Sequence, residues 1–127
     1  MERLEWIADT FLSVGTPVQL AAPLLLAARQ SIQAQIRERV SRNLAVLRTA
    51  VTTSPCRVLR AEGGWYATLQ VPRIRSEEVW ALELLDRGVL VQPGFFFDFD
   101  SEAFLVLSLL TEPSILEEGT RHILEAC

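Results

Sequence analysis

Cys56–Pro72 reads CRVLRAEGGWYATLQVP. Gly63-Gly64 sits at its centre, and paired glycines accept the positive φ angles of a tight primed β-turn. Beyond the turn, Trp65, Ala67, Leu69 and Val71 alternate with Tyr66, Thr68 and Gln70. That two-residue period marks a strand with one face covered. A turn centred on the glycine pair sets Val58 opposite Leu69 and Cys56 opposite Val71, all on the apolar face. Pro72 closes the strand, because it has no N–H to give to a ladder. The stretch is a hairpin, so the domain contains a sheet.

Downstream, Ser76 suits an N-cap, and Glu77 and Glu78 suit the positive end of a helix dipole. The helix runs to Arg87, with Gly88 as its stop. Val89–Gln92 reads as a short strand. Phe104–Leu110 is almost wholly apolar, as expected of a strand central in a sheet. Thr111 or Glu112 with Pro113 opens a last helix. Upstream, Leu4, Ile7, Phe11 and Val14 form one stripe, predicting a helix over 2–14. Gly15, Thr16 and Pro17 break it. Val18–Ala28 is apolar nearly all round and reads as a short buried or interface helix, with Pro23 as a kink or new start. Gln30–Thr52 is the clearest helix: Ile32, Ile36, Val40, Leu44, Leu47 and Val51 make its stripe. The order is helices followed by ββαββα. That predicts an α/β (α+β) two-layer sandwich with one roughly four-stranded sheet. Residues 1–28 form a helical lead-in and interface segment, and 29–127 form the domain.

Composition narrows the function classes. The chain has 127 residues, a net charge of −4 and no basic stripe, so a nucleic-acid partner is not expected. The longest apolar run is shorter than the roughly 20 residues that cross a bilayer. The start, MERLEW, lacks the pattern of a signal peptide, and a cytoplasmic setting is expected. Cys56 and Cys127 have no metal or redox spacing and read as ordinary reduced thiols. His122 is the one histidine and reads as a surface or helix-end residue. All 12 basic residues are arginine. Without a lysine, the chain cannot itself perform chemistry that needs a lysine amine. Asp98, Asp100 and Glu102 alternate along an extended segment; with no other ligand type beside them they read as an acidic, solvated loop, and no metal site is expected.

The segment Gln92–Asp100, QPGFFFDFD, has neither strand nor helix period. Four phenylalanines in a loop call for cover, from this domain, another domain or a ligand.

Four stretches together resemble one family: SVGTPVQLAAPLLL (13–26), EGGWYATLQVP (62–72), LLDRGVLVQPGFFFDF (84–99) and FLVLSLLTEPSILEEGTRHI (104–123). They are similar, in order, to the C-terminal part of class I/II aminotransferases, pyridoxal-phosphate enzymes of fold type I. The resemblance implies that this is the small domain, which closes over cofactor and substrate. The cofactor's lysine would lie in an absent large domain, leaving this chain alone inactive and without bound pyridoxal phosphate. The whole protein would transfer an amino group between an amino acid and a 2-oxo acid, as a homodimer. Val91, Pro93, Gly94 and Phe97 match the family's V-x-P-G-x-x-F turn near the pocket entrance. Pro93, Gly94, Phe95, Phe97 and Phe99 are thereby implied as pocket wall. Ser13 and Gln19, with Thr16 between them, loosely match a stretch near the partner subunit's active site.

One departure matters. Many members carry a carboxylate-gripping arginine two residues before the serine of the closing strand. Here that serine is Ser108 and the position holds Val106. Arg57, Arg60 and Arg73 are substitutes by chemistry alone. Two other readings stay open at this stage: an aminotransferase-like effector-binding domain of a transcription regulator, and a stand-alone dimerisation or interaction domain.

Overall fold

The computed structural model describes residues 2–10, 14–101 and 103–127. Phe11, Ser13 and Glu102, named above, lie outside the described residues. The elements are α1 (Glu2–Thr10), α2 (Thr16–Ala50), β1 (Arg57–Val58), β2 (Tyr66–Gln70), α3 (Glu77–Asp86), β3 (Gln92–Pro93), β4 (Phe104–Ser108) and α4 (Pro113–Glu125), with 3-10 turns at Val51–Thr53 and Gly94–Phe97. They group into two compact units, Met1–Gln35 and Ile36–Cys127.

The first unit holds α1 and the beginning of α2. The expected break at Gly15–Pro17 is real: α2 starts at Thr16, and the N–H groups of Val18 and Gln19 donate to the Gly15 carbonyl. Pro17 falls in the first turn, where an N–H has no helical partner anyway. The expected second break is absent. Val18–Ala28 is not a separate short helix, and α2 runs through Pro23 without interruption. Proline removes one hydrogen bond, to the Gln19 carbonyl, and costs about 3 kcal/mol. Leucine, alanine and glutamine on both sides are strong helix formers and carry the helix across. Nor is this stretch buried: Leu20, Leu24, Leu25 and Leu26 are all exposed. None of the described helices is long and apolar enough to cross a membrane.

The second unit is an α+β sandwich. Its sheet has four strands in the order β1-β2-β4-β3, every neighbouring pair antiparallel. The hairpin register is the one the glycine pair predicts, with Val58 opposite Leu69. The turn is looser than two residues: pairing ends at the Leu59 N–H to Thr68 carbonyl bond of 2.9 Å, and Gly64 takes φ 81°. β4 is central, between β2 and β3. β3 begins at Gln92, later than the Val89 start that the sequence suggests.

One face of the sheet carries Ala67, Leu69, Leu105 and Leu107. These join Leu47 of α2, Trp80 and Leu84 of α3, and Leu116 and Ile123 of α4 in one core. The long-helix stripe sinks in gradually: Ile32 and Ile36 are exposed, Val40 and Leu44 half-buried, Leu47 fully buried. Beside it, Asn43 is buried, and its side-chain amide donates to the carbonyls of Leu109 (2.9 Å) and Thr111 (2.8 Å). Those bonds tie α2 to the chain leaving β4.

Candidate functional site

Directly opposed residues in a sheet share a face. The register therefore sorts the side away from the helical core into rows. Arg57, Gln70 and Phe104 form one row; Thr68, Val106 and Gln92 form the next; Tyr66 and Ser108 form the last. Val106 sits at the centre of this outer face, 5% exposed.

The aromatic segment flanks that face. Pro93 and Gly94 are buried, whereas Phe95, Phe96 and Phe97 are 51%, 67% and 44% exposed. Gly94–Phe97 winds as a 3-10 turn that ends in Asp98 at φ 54°. Aspartate tolerates this left-handed conformation better than most residues do. Phe95 and Phe96 meet edge to face at 4.7 Å between centroids, and Phe97 lies 6.4 Å from the Tyr66 ring. Trp65 extends the cluster, 6.4 Å from Tyr66. Phe99 folds back onto Phe104 at 4.8 Å and is half-buried.

A carboxylate that reads in sequence as a helix-start charge holds this turn. Glu77 is 2% exposed. Its Oε2 accepts from the Phe95 N–H at 2.7 Å and its Oε1 from the Phe104 N–H at 2.6 Å. Hydrogen bonds to an ionised acceptor are short and about twice as strong as neutral ones. The first residue of α3 thus straps the aromatic turn to the start of β4. Gly94 is needed for the close approach: a Cβ there would lie 2.8 Å from Glu77 Oε1 and 2.9 Å from Phe104 Cβ.

The second unit sets Phe97 and Phe99 against Tyr66 and Phe104 of the outer face that carries Val106, with Phe95 held by Glu77 and Gly94 beside it, whereas Pro93 opposes Leu105 and falls on the core side. Thr16 and Gln19 belong to the first unit, where the Gln19 side-chain amide donates to the Val14 carbonyl at 2.6 Å. Of the three candidate arginines, only Arg57 falls in the rows of the outer face, one row from Val106. Arg60 pairs with Glu62 at 2.6 Å in solvent, and Arg73 lies exposed beyond the end of β2. Asp98 and Asp100 are exposed, and the described residues contain no group of three or more side chains able to hold a metal. A hollow of about 760 Å³ lies elsewhere, between α2 and α4, with Ala45, Val46 and Leu124 in its walls.

Sequence reasoning missed Glu77, Asn43 and the aromatic reach of Trp65 and Tyr66. Only the last had a local signal, since Tyr66 is on the opposite face of β2 from Ala67 and Leu69.

No protein-family model matches the chain, and no curated protein matches it by sequence. Solved structures do match. Aspartate aminotransferase from Thermus thermophilus, with maleate, aligns over 94% of this chain and 32% of its own, at TM-score 0.74 and 25% identity. The methionine aminotransferase YbdL of Escherichia coli aligns over 93% and 32%, at TM-score 0.71 and 20% identity. LysN, an α-aminoadipate aminotransferase also from Thermus thermophilus, complexed with N-(5'-phosphopyridoxyl)-L-leucine, aligns over 85% and 28%, at TM-score 0.67 and 24% identity. The chain spans about a quarter to a third of the length of these structures. It has the fold of a part of the fold-type I, pyridoxal-phosphate-dependent aminotransferases, in keeping with the resemblance of its motifs.

Proposed function

We propose that this chain is the small domain of a pyridoxal-phosphate-dependent aminotransferase, and that the whole protein moves an amino group between an amino acid and a 2-oxo acid. The three-dimensional match over 94% of the chain to a third of an aminotransferase carries the reading. The outer sheet face and its aromatic rim are the chain's contribution to the pocket. Phe95, Phe97 and Phe99 form the wall, and Pro93 and Gly94 are its fixed base. The residues of this chain do not fit the cofactor's covalent anchor, since none is lysine; that anchor and the large domain belong to the rest of the protein.

Val106 has no charge with which to hold a substrate carboxylate. Arg57 is the guanidinium in the rows of the outer face, and this reading gives it that task. The protein is a homodimer in this reading, with the exposed leucines of the first part of α2 supporting an interface there. It acts in the cytoplasm.

The test is spectroscopic. The full-length protein should show the absorbance of lysine-bound pyridoxal, lose it on addition of an amino acid and regain it with a 2-oxo acid. The 127-residue chain alone should give no such band with added pyridoxal phosphate. A full-length sequence with no large domain and no cofactor lysine would overturn the reading.

A further inference from the structure

Cys56 and Cys127 are 71 positions apart in sequence, yet their sulfurs lie 3.0 Å apart. Cys56 is buried in the core just before β1, at 6% exposure; Cys127 follows α4 and is half-buried. Both are free thiols. Both residues are anchored. The Cys56 N–H donates to the Ser54 hydroxyl at 3.2 Å, and the Cys127 thiol donates to the Ile123 carbonyl at 3.3 Å. Arg75 fixes the end of α4, donating to the Ala126 carbonyl at 3.3 Å while pairing with Glu83 and stacking 4.2 Å over the Trp80 ring. A disulfide needs sulfurs about 2.05 Å apart. Closing the remaining gap takes about an ångström of side-chain movement.

We propose that Cys56 and Cys127 form a reversible intrachain disulfide by exchange with a low-molecular-weight disulfide, latching the end of α4 to the start of β1. Cys127, the more accessible sulfur, attacks one sulfur of the small disulfide. A bond forms between them, the small molecule's S–S bond breaks, and the departing thiolate takes up the Cys127 proton. The Cys56 sulfur then attacks Cys127 Sγ, and the second small thiolate leaves with the Cys56 proton. Two protein thiols are oxidised, one small disulfide is reduced to two thiols, and two protons and two electrons balance.

In the reduced pair the two thiols bias each other. The Cys127 thiol beside it, helped by Ser54 and opposed by burial, holds Cys56 below the ordinary thiol range; Cys127 is raised by its bond to Cys56 and by burial, with Arg75 opposing.

The intact protein is equilibrated with glutathione buffers from reducing to oxidising, alkylated, and digested with trypsin under non-reducing conditions. The expected product joins the peptide Thr49–Arg57 to the peptide that begins at His122. It should appear without an accumulating glutathione adduct, reverse with dithiothreitol, and raise the melting temperature by roughly 10 °C, because a long loop is closed in the unfolded chain. In Cys56→Ser, a glutathione adduct should accumulate on Cys127, with no linked peptide. Alkylatable thiols at both positions in the oxidising buffer, or a stable glutathione adduct on wild-type Cys127 with no linked peptide, would overturn the proposal. So would a Cys56–Cys127 linkage found only between two chains.

Discussion

Gly94 and Glu77 make one device from two residues, and each should be intolerant of change. Removing the carboxylate in Glu77→Ala leaves the Phe95 and Phe104 N–H groups without their acceptor. A lowered unfolding free energy of about 3 kcal/mol is expected from denaturant melts. Gly94→Ala pushes a methyl against Phe104 Cβ, which is fixed by β4, and should cost about 1–3 kcal/mol. The two changes share the contact with Glu77 Oε1, so the double variant should lose less than the sum; strict additivity would show that they act separately. Arg57 carries a different kind of prediction. If it holds a substrate carboxylate, Arg57→Ala in the full-length enzyme should raise KM roughly tenfold or more, with the melting temperature nearly unchanged. An unchanged KM would remove it from the site.

Helix ends are where local chemistry speaks most directly. The Ser76 hydroxyl accepts from the Val79 N–H at 3.3 Å, as an N-cap should. At the other end of α3, Gly88 takes φ 79°, its N–H bonds to the Leu85 carbonyl, and the Val89 N–H bonds to the Leu84 carbonyl at 2.8 Å. This paired closure needs a left-handed residue, so Gly88→Ala should cost about 1 kcal/mol in the same melts. The cap also explains why β3 starts late. Val89 has given its N–H to the helix, and the chain reaches the ladder only at Gln92. For α4, Glu112 is the cap. The Ser114 hydroxyl, then the Ile115 and Ser114 N–H groups and the Arg39 charge, hold its carboxyl below its ordinary value of 4.5. A lowered folded-state pKa means that the stabilisation is complete above the ordinary value. It is lost as pH falls through the depressed one. The stability gap between wild type and Glu112→Gln should therefore close in that acid range, and a gap constant with pH would contradict this.

These caps, the Pro113 start and the hairpin register were legible because each depends on a few neighbouring residues. What was not legible depends on residues far apart. Nothing near Glu77 foretells that β4 and the phenylalanine turn will converge on it. Nothing near Cys56 announces Cys127. The continuity of α2 through Pro23 rests on a balance of helix propensities, which the proline's local rule hides. The composition of the phenylalanine turn was plain in the sequence, but its 3-10 winding and exposure follow from the Glu77 strap.

At the scale of the whole molecule, exposed apolar surface includes the aromatic rim of the second unit and the leucines of the first. In the homodimer proposed above, the leucines are the interface. Leu20→Glu with Leu24→Glu should convert a dimer to a monomer in light scattering without lowering the melting temperature of the core, since both side chains are 77% exposed. A dimer that survives both charges would place its interface elsewhere. The rim has a further use. Trp80 is sealed at 0% exposure, while Trp65, at the rim, is 51% exposed. Their indole emission should therefore differ in colour, blue from the core and red from the rim. With Trp6, itself 72% exposed, replaced by phenylalanine, the protein becomes a two-channel fluorescence gauge. A ligand or domain settling on the aromatic face would shift the red channel alone, and loss of the fold would shift the blue one.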